Sequence, residues 1–190
     1  MNVGLFFGSF NPVHVGHLII ANWVLNETHV EKIWMVVSPQ NPFKQEQDLL
    51  SDVDRLALVQ KAVEDDHRIE VSDVEFQLPK PSYTSRTLSL FREKYAGNTF
   101  FLIMGSDNFQ GLHKWKDVES IVSNHTILIF QRPAFEVENN INAQIEILKA
   151  PMLEISSTNI RDLIKNQKSI RYLVPEKVRK EIESKLYYKK

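Results

Sequence analysis

The chain has 190 residues and a formal net charge of −1 at neutral pH. That balance excludes the broad positive field with which a protein grips long nucleic acid, so any anionic ligand must be held by a local cluster of donors. The absence of cysteine excludes disulfides, thiolate metal sites and cysteine nucleophiles.

Residues 3–7 form a short apolar run stopped by Gly8, the pattern of a buried parallel strand. Residues 14–27 carry Leu18, Ile19, Ala21 and Leu25 at roughly helical spacing. Residues 32–38 read as a second strand. Residues 39–50 are polar, contain two prolines and read as a loop. Ser51 opens a helix with Leu56, Leu58, Val59 and Val63 inward and Asp52 and Asp54 in its first turn. Residues 69–71 make a short strand, 79–83 a loop, and 83–95 a helix ended by Gly97. Strands follow at 99–104 and 125–130, separated by a turn region at 105–116 and a short helix at 117–123. Residues 145–155 hold a last edge strand. Residues 157–166 and 175–186 are helices, the second with Pro175 in its first turn, and Tyr187 to Lys190 read as a solvated end.

Strands separated by helices require right-handed crossovers. They predict an α/β protein with a Rossmann-like, doubly wound parallel sheet covered by helices on both faces. One domain is expected over 1–190, with 157–190 a C-terminal helical part. No apolar run approaches the roughly 20 residues that cross a bilayer, and the first residues lack a signal-peptide pattern. The expected location is the cytoplasm. In such sheets ligands bind beyond the carboxyl ends of the strands. The chemically unusual residues fall there, at 8–17, 38–44 and 105–107.

The sharpest signal is Gly8-Ser9-Phe10-Asn11-Pro12-Val13-His14-Val15-Gly16-His17. Gly8 permits a close turn after the strand and the approach of a phosphate to the backbone. His14 and His17, three apart at a helix start, share one face. The free N–H groups and positive dipole end of that helix favour a phosphate, and two imidazoles add donors. Gly16 removes a side chain from between them. This arrangement suits nucleotidyl transfer by positioning and charge stabilisation, without a covalent intermediate.

The segment resembles the phosphate-binding motif of the HxGH nucleotidyltransferases. Ser156-Ser157-Thr158-Asn159-Ile160-Arg161, about 140 residues downstream, resembles that group's second signature. Ser157 or Thr158 is the expected helix cap, with Arg161 one turn in, able to reach the β- and γ-phosphates. The middle of the chain resembles nicotinate mononucleotide adenylyltransferases of bacterial type. Residues 39–44 match their Pro-x-x-Pro-x-Lys loop, and residues 82–88 their Ser-Tyr-Thr element. Residues 105–107 match their Gly-x-Asp turn and residues 112–116 their Trp segment; Arg132-Pro133 also matches.

The resemblance implies transfer of AMP from ATP to nicotinate mononucleotide, giving nicotinate adenine dinucleotide and pyrophosphate. It implies His14, His17 and Arg161 as catalytic residues, and ATP contacts from Gly8, Ser9, Phe10, Gly105, Asp107 and Ser157. Tyr83, Thr84 and Trp115 would form the pyridine pocket, and Lys44 and Arg132 would hold the mononucleotide phosphate. Mg²⁺ would arrive on the ATP oxygens, held mostly by phosphates and water, with no metal site of the protein's own. The implied partners are small molecules, neither nucleic acid nor membrane, and a homo-oligomer is compatible with them.

Ser9 and Asn11 stand where bacterial members more usually carry Thr and Asp, which keeps open a dual nicotinate/nicotinamide specificity. A phosphopantetheine adenylyltransferase-like enzyme is the alternative, sharing the first motif but lacking the Ser-Tyr-Thr element and the Trp segment. A zinc half-site at His14 and His17 lacks a nearby third ligand. His29, His67, His113 and His125 read as surface or structural.

Overall fold

The computed structural model describes residues 1–39, 49–151 and 154–189. Its strands are β1 (Asn2–Gly8), β2 (Lys32–Val37), β3 (Ile69–Ser72), β4 (Thr99–Gly105), β5 (Thr126–Phe130) and β6 (Ile145–Leu148). Its helices are α1 (Val15–Glu27), α2 (Asp52–Val63), α3 (Thr84–Lys94), α4 (Ser106–Gln110), α5 (Val118–Asn124), α6 (Ser157–Lys165) and α7 (Glu176–Ser184). The strands form one all-parallel sheet in the order β3-β2-β1-β4-β5-β6.

Strand alternation divides the core into two layers. Phe6, Ile33, Met35, Val37, Ile103 and Leu128 face α1, α2, α6 and α7. Val3, Leu5, Trp34, Val36, Leu102 and Ile129 face α3, α4 and α5. A strand covered on both faces has no polar side, so its sequence is a continuous apolar run rather than an alternating one. The order of strands reverses between β1 and β4, and the loops leaving those two strands diverge to opposite faces. The crevice between them is where a sheet of this topology accepts a ligand.

Several local features differ from the sequence expectation. Ser156, not Ser157 or Thr158, caps α6, its hydroxyl accepting from the Asn159 N–H at 3.1 Å. Tyr83, expected to begin the helix, is instead the cap position of α3 and offers no side-chain bond. Pro175 caps α7, which begins at Glu176. A 3-10 turn at Val74–Gln77 follows β3. The C-terminal end is solvated only in part: Lys189 is exposed, whereas Tyr188 is buried and joins the core against α1, α2, α6 and α7.

The buried cation Arg55 lies on α2, one turn before Leu58 and Val59, with no exposed surface. It donates to the carbonyls of Ser9 (2.5 Å), Ser38 (2.8 Å), Pro39 (3.1 Å) and Leu50 (3.1 Å), and to Asp52 Oδ1 at 2.7 Å. The guanidinium thereby ties the loops leaving β1 and β2 to α2. Arg55→Leu would leave these carbonyls buried and unmet, at a cost of roughly 3–5 kcal/mol. The melting temperature should fall by roughly 10 °C, read by thermal unfolding against the wild type; an unchanged transition would show that the carbonyls find other donors.

Candidate active site

The loop after β1 is shaped by one ring. Phe10 adopts a left-handed backbone (φ 46°) and is almost wholly buried. A Cβ on Gly8 would lie 2.9 Å from its ring, so glycine there makes room for Phe10 as well as for the turn. The ring meets Phe6 edge-on at 6.0 Å and His17 at 5.0 Å between centroids. Phe10 is therefore a buried wedge beneath the histidines, while Ser9 gives its carbonyl to Arg55.

His14 caps α1 and His17 follows in its first turn. Their rings stack at 3.7 Å with planes 28° apart. His17 Nδ1 accepts the backbone N–H of His14 at 3.2 Å, so a neutral His17 carries its proton on Nε2. Gly16 suits the packing: an added Cβ would stand 3.0 Å from His14 Nδ1 and 3.1 Å from its Cε1, so the ring would have to give by a few tenths of an ångström.

The remote second motif is fastened to this loop. Ser157 Oγ donates to the Pro12 carbonyl at 2.8 Å, and Arg161 Nη1 to the Asn11 carbonyl at 2.8 Å. Arg161 also donates to Thr158 Oγ1 at 3.4 Å and is 9% exposed. The two signatures thus meet in space. Arg161, expected to reach out to phosphates, is instead turned inward onto backbone in this structure.

The cleft beside the histidines is lined by Phe6, His14, Gly16, His17, Arg132 and Ile155, among others. Arg132 enters from the loop after β5, its backbone N–H donating to the buried Ser106 hydroxyl at 2.9 Å. Its Nε lies 3.4 Å from Asp107 Oδ1, and Gly105 leaves the space that this carboxylate fills. Gly105, Asp107 and Arg132 are therefore one unit at the carboxyl ends of β4 and β5. Among the described residues no three His, Cys, Asp or Glu side chains gather into a metal site. The side chains facing the cleft are suited to anions.

Tyr83, Thr84 and Trp115 lie around the first turn of α3 and the segment before α5. Lys116 Nζ sits 4.7 Å over the Tyr83 ring, and Trp115 is half-buried against the α3–α5 core layer. Lys44 lies outside the described residues.

Two residues beyond the motifs organise the site. Arg55 is one; an arginine in register with Leu58 and Val59 on the inner face was its only sequence trace. Glu75 is the other. It is buried and accepts the hydroxyls of Ser82 (2.9 Å) and Thr87 (2.8 Å), so these two members of the Ser-Tyr-Thr element fix the start of α3.

Burial, assisted by the Arg132 charge, lowers the His14 pKa to about 4. The unfolded imidazole titrates near 6.5. Between those values the unfolded chain binds more protons, so stability falls as pH drops from about 6.5 to about 4. Burial lowers His125 in the same direction. Over that window the wild type should lose about 3 kcal/mol more than His14→Gln in urea unfolding. Parallel curves for the two proteins would show that His14 is not buried neutral.

The sequence matches the cytidylyltransferase-like family model over residues 5–163. A protein of Flavobacterium psychrophilum named as a probable nicotinate-nucleotide adenylyltransferase is 49% identical over the full length of both chains. One of the same name from Flavobacterium johnsoniae is 48% identical, also over both full lengths. The fold matches Plasmodium falciparum nicotinic acid mononucleotide adenylyltransferase complexed with NaAD, with a TM-score of 0.82 at 19% identity over 98% and 97% of the two chains. The site with paired histidines at a sheet reversal, and the kinship along the whole chain, lead to one assignment: this chain belongs to the cytidylyltransferase-like family and, within it, to the nicotinate-nucleotide adenylyltransferases.

Proposed function

We propose that this chain transfers the AMP part of ATP to nicotinate mononucleotide, forming nicotinate adenine dinucleotide and releasing pyrophosphate. The observation that carries the chemistry is the convergence of His14, His17 and Arg132 on one cleft, with the second motif bolted behind it. The choice of acceptor rests on the full-length kinship.

In this reading ATP enters as its magnesium complex, the ion riding on phosphate oxygens. An oxygen of the mononucleotide phosphate attacks the α-phosphorus, the bond to the β-phosphate breaks, and pyrophosphate leaves. Negative charge on the α-phosphate oxygens meets the Nε2–H of His17. A phosphate beside His14 favours its protonated form, which would add a second charged donor. Lys44 and Arg132 hold the acceptor phosphate, while Gly105 and Asp107 serve a ribose. Gly8, Ser9 and Phe10 form the floor, and Ser157 and Arg161 serve the triphosphate through the loop they hold. Tyr83, Thr84 and Trp115 receive the pyridine. The first turn of α3, with Lys116 above Tyr83, favours a carboxylate over a neutral amide. We place the reaction in the cytoplasm, where a chain without cysteine needs no oxidising compartment.

Purified protein given ATP, Mg²⁺ and nicotinate mononucleotide should release pyrophosphate and the dinucleotide in equal amounts. Its kcat/KM should exceed that for nicotinamide mononucleotide by about tenfold or more. Release with phosphopantetheine alone would transfer the chain to the alternative activity. His17→Ala should lower kcat by at least about a hundredfold with the thermal transition kept; near-normal turnover would remove the imidazole from the chemistry.

A further inference from the structure

We infer that Tyr188 is a positioning residue of the proposed adenylyl transfer, its hydroxyl fixing Asn11 and thereby the loop that presents His14 and His17. The inference rests on that functional reading. Asn11 has no exposed surface, and its Oδ1 accepts the Tyr188 hydroxyl at 2.9 Å and the Leu50 N–H at 3.2 Å. Its backbone carbonyl accepts Arg161 at 2.8 Å. One residue of the catalytic loop therefore meets the C-terminal tail and Leu50 through its side chain, and α6 through its backbone.

The tail is built to reach it. Leu186 (φ 56°) and Tyr188 (φ 63°) are left-handed and turn the chain back after α7, with the Tyr187 N–H donating to the Ile182 carbonyl at 3.0 Å. Such backbone persists in residues with a Cβ only where surrounding contacts hold it. Tyr188 is 8% exposed, inside the core layer shared by α1 and α2. Tyr187 donates its hydroxyl to Asp54 Oδ1 at 2.6 Å, on the helix whose Arg55 grips Ser9 and Ser38. The tail thus joins the loop directly through Tyr188 and indirectly through α2.

The ring of Tyr188 serves packing; the hydroxyl serves Asn11. A buried amide oxygen that loses a donor reorients toward what is left, and Asn11 lies three residues before His14 and directly before Pro12, the acceptor of Ser157. A shift there moves the imidazoles against the α-phosphate, which affects the chemical step more than the binding of the acceptor.

The test is Tyr188→Phe in the full chain, which keeps the ring and removes the hydroxyl. We expect kcat to fall about tenfold, with KM for nicotinate mononucleotide within about twofold and the thermal transition little changed. In a double-mutant cycle, adding Tyr188→Phe to Asn11→Ala should lower kcat no further than Asn11→Ala alone. If Asn11→Ala does not fold, the kcat-against-KM split of Tyr188→Phe decides by itself. Unchanged kcat would overturn the inference, as would a loss that merely follows a lowered melting temperature. Wild-type protein that releases no pyrophosphate would overturn the functional reading and this inference together. An active wild type with an equally active Tyr188→Phe overturns only the inference.

Discussion

A guanidinium with no exposed surface sets the geometry on which the site depends. Arg55 faces the carbonyls of Ser9, Ser38, Pro39 and Leu50, together with the Asp52 carboxylate. A buried charge is tolerable only when its hydrogen-bonding capacity is met, and a fork of five N–H donors can satisfy several strand-end carbonyls at once. The loops leaving β1 and β2 would otherwise have independent freedom. Bound to one rigid group on α2, they hold a fixed separation, and the wedge of Phe10 and the histidines above it inherit that separation.

A second set of backbone-directed bonds works from the other end of the chain. Ser157 and Arg161 donate to consecutive carbonyls, of Pro12 and Asn11. The pairing explains why two signatures far apart in sequence belong together: the later one is a template for the conformation of the earlier one. Gly16 has a comparably simple effect, since a side chain there would press on the His14 ring. Gly105 likewise gives its space to the Asp107 carboxylate.

The parallel sheet was legible because two-sided burial writes itself as short apolar runs, and its helices because residues such as Leu56, Val59 and Val63 recur at helical spacing. Ser51 as a cap was legible for the same local reason. The loop signatures, glycine and histidine after a strand, fall where the fold brings His14, Gly16, His17 and Arg132 around one cleft. The roles of Arg55, Glu75 and Tyr188 were not legible. Their partners are largely carbonyls and hydroxyls distant in sequence, and a carbonyl leaves no trace in residue identity. The tail misled because two tyrosines before two lysines look like a solvated end, whereas left-handed turns at Leu186 and Tyr188 accompany the burial of Tyr188 while Lys189 stays exposed. The inward turn of Arg161 was invisible for a related reason: its acceptor is the backbone of Asn11, not a side chain.

The burial of His14 has a thermodynamic corollary. The cleft sets a neutral imidazole beside a guanidinium already partly offset by Asp107. A polyanion arriving there brings the field that makes protonation favourable, so ligand uptake and proton uptake become one linked equilibrium. Departure of the anion would reverse both together. The imidazole of His14 would then add its charge to that of Arg132 only while an anion lies beside it.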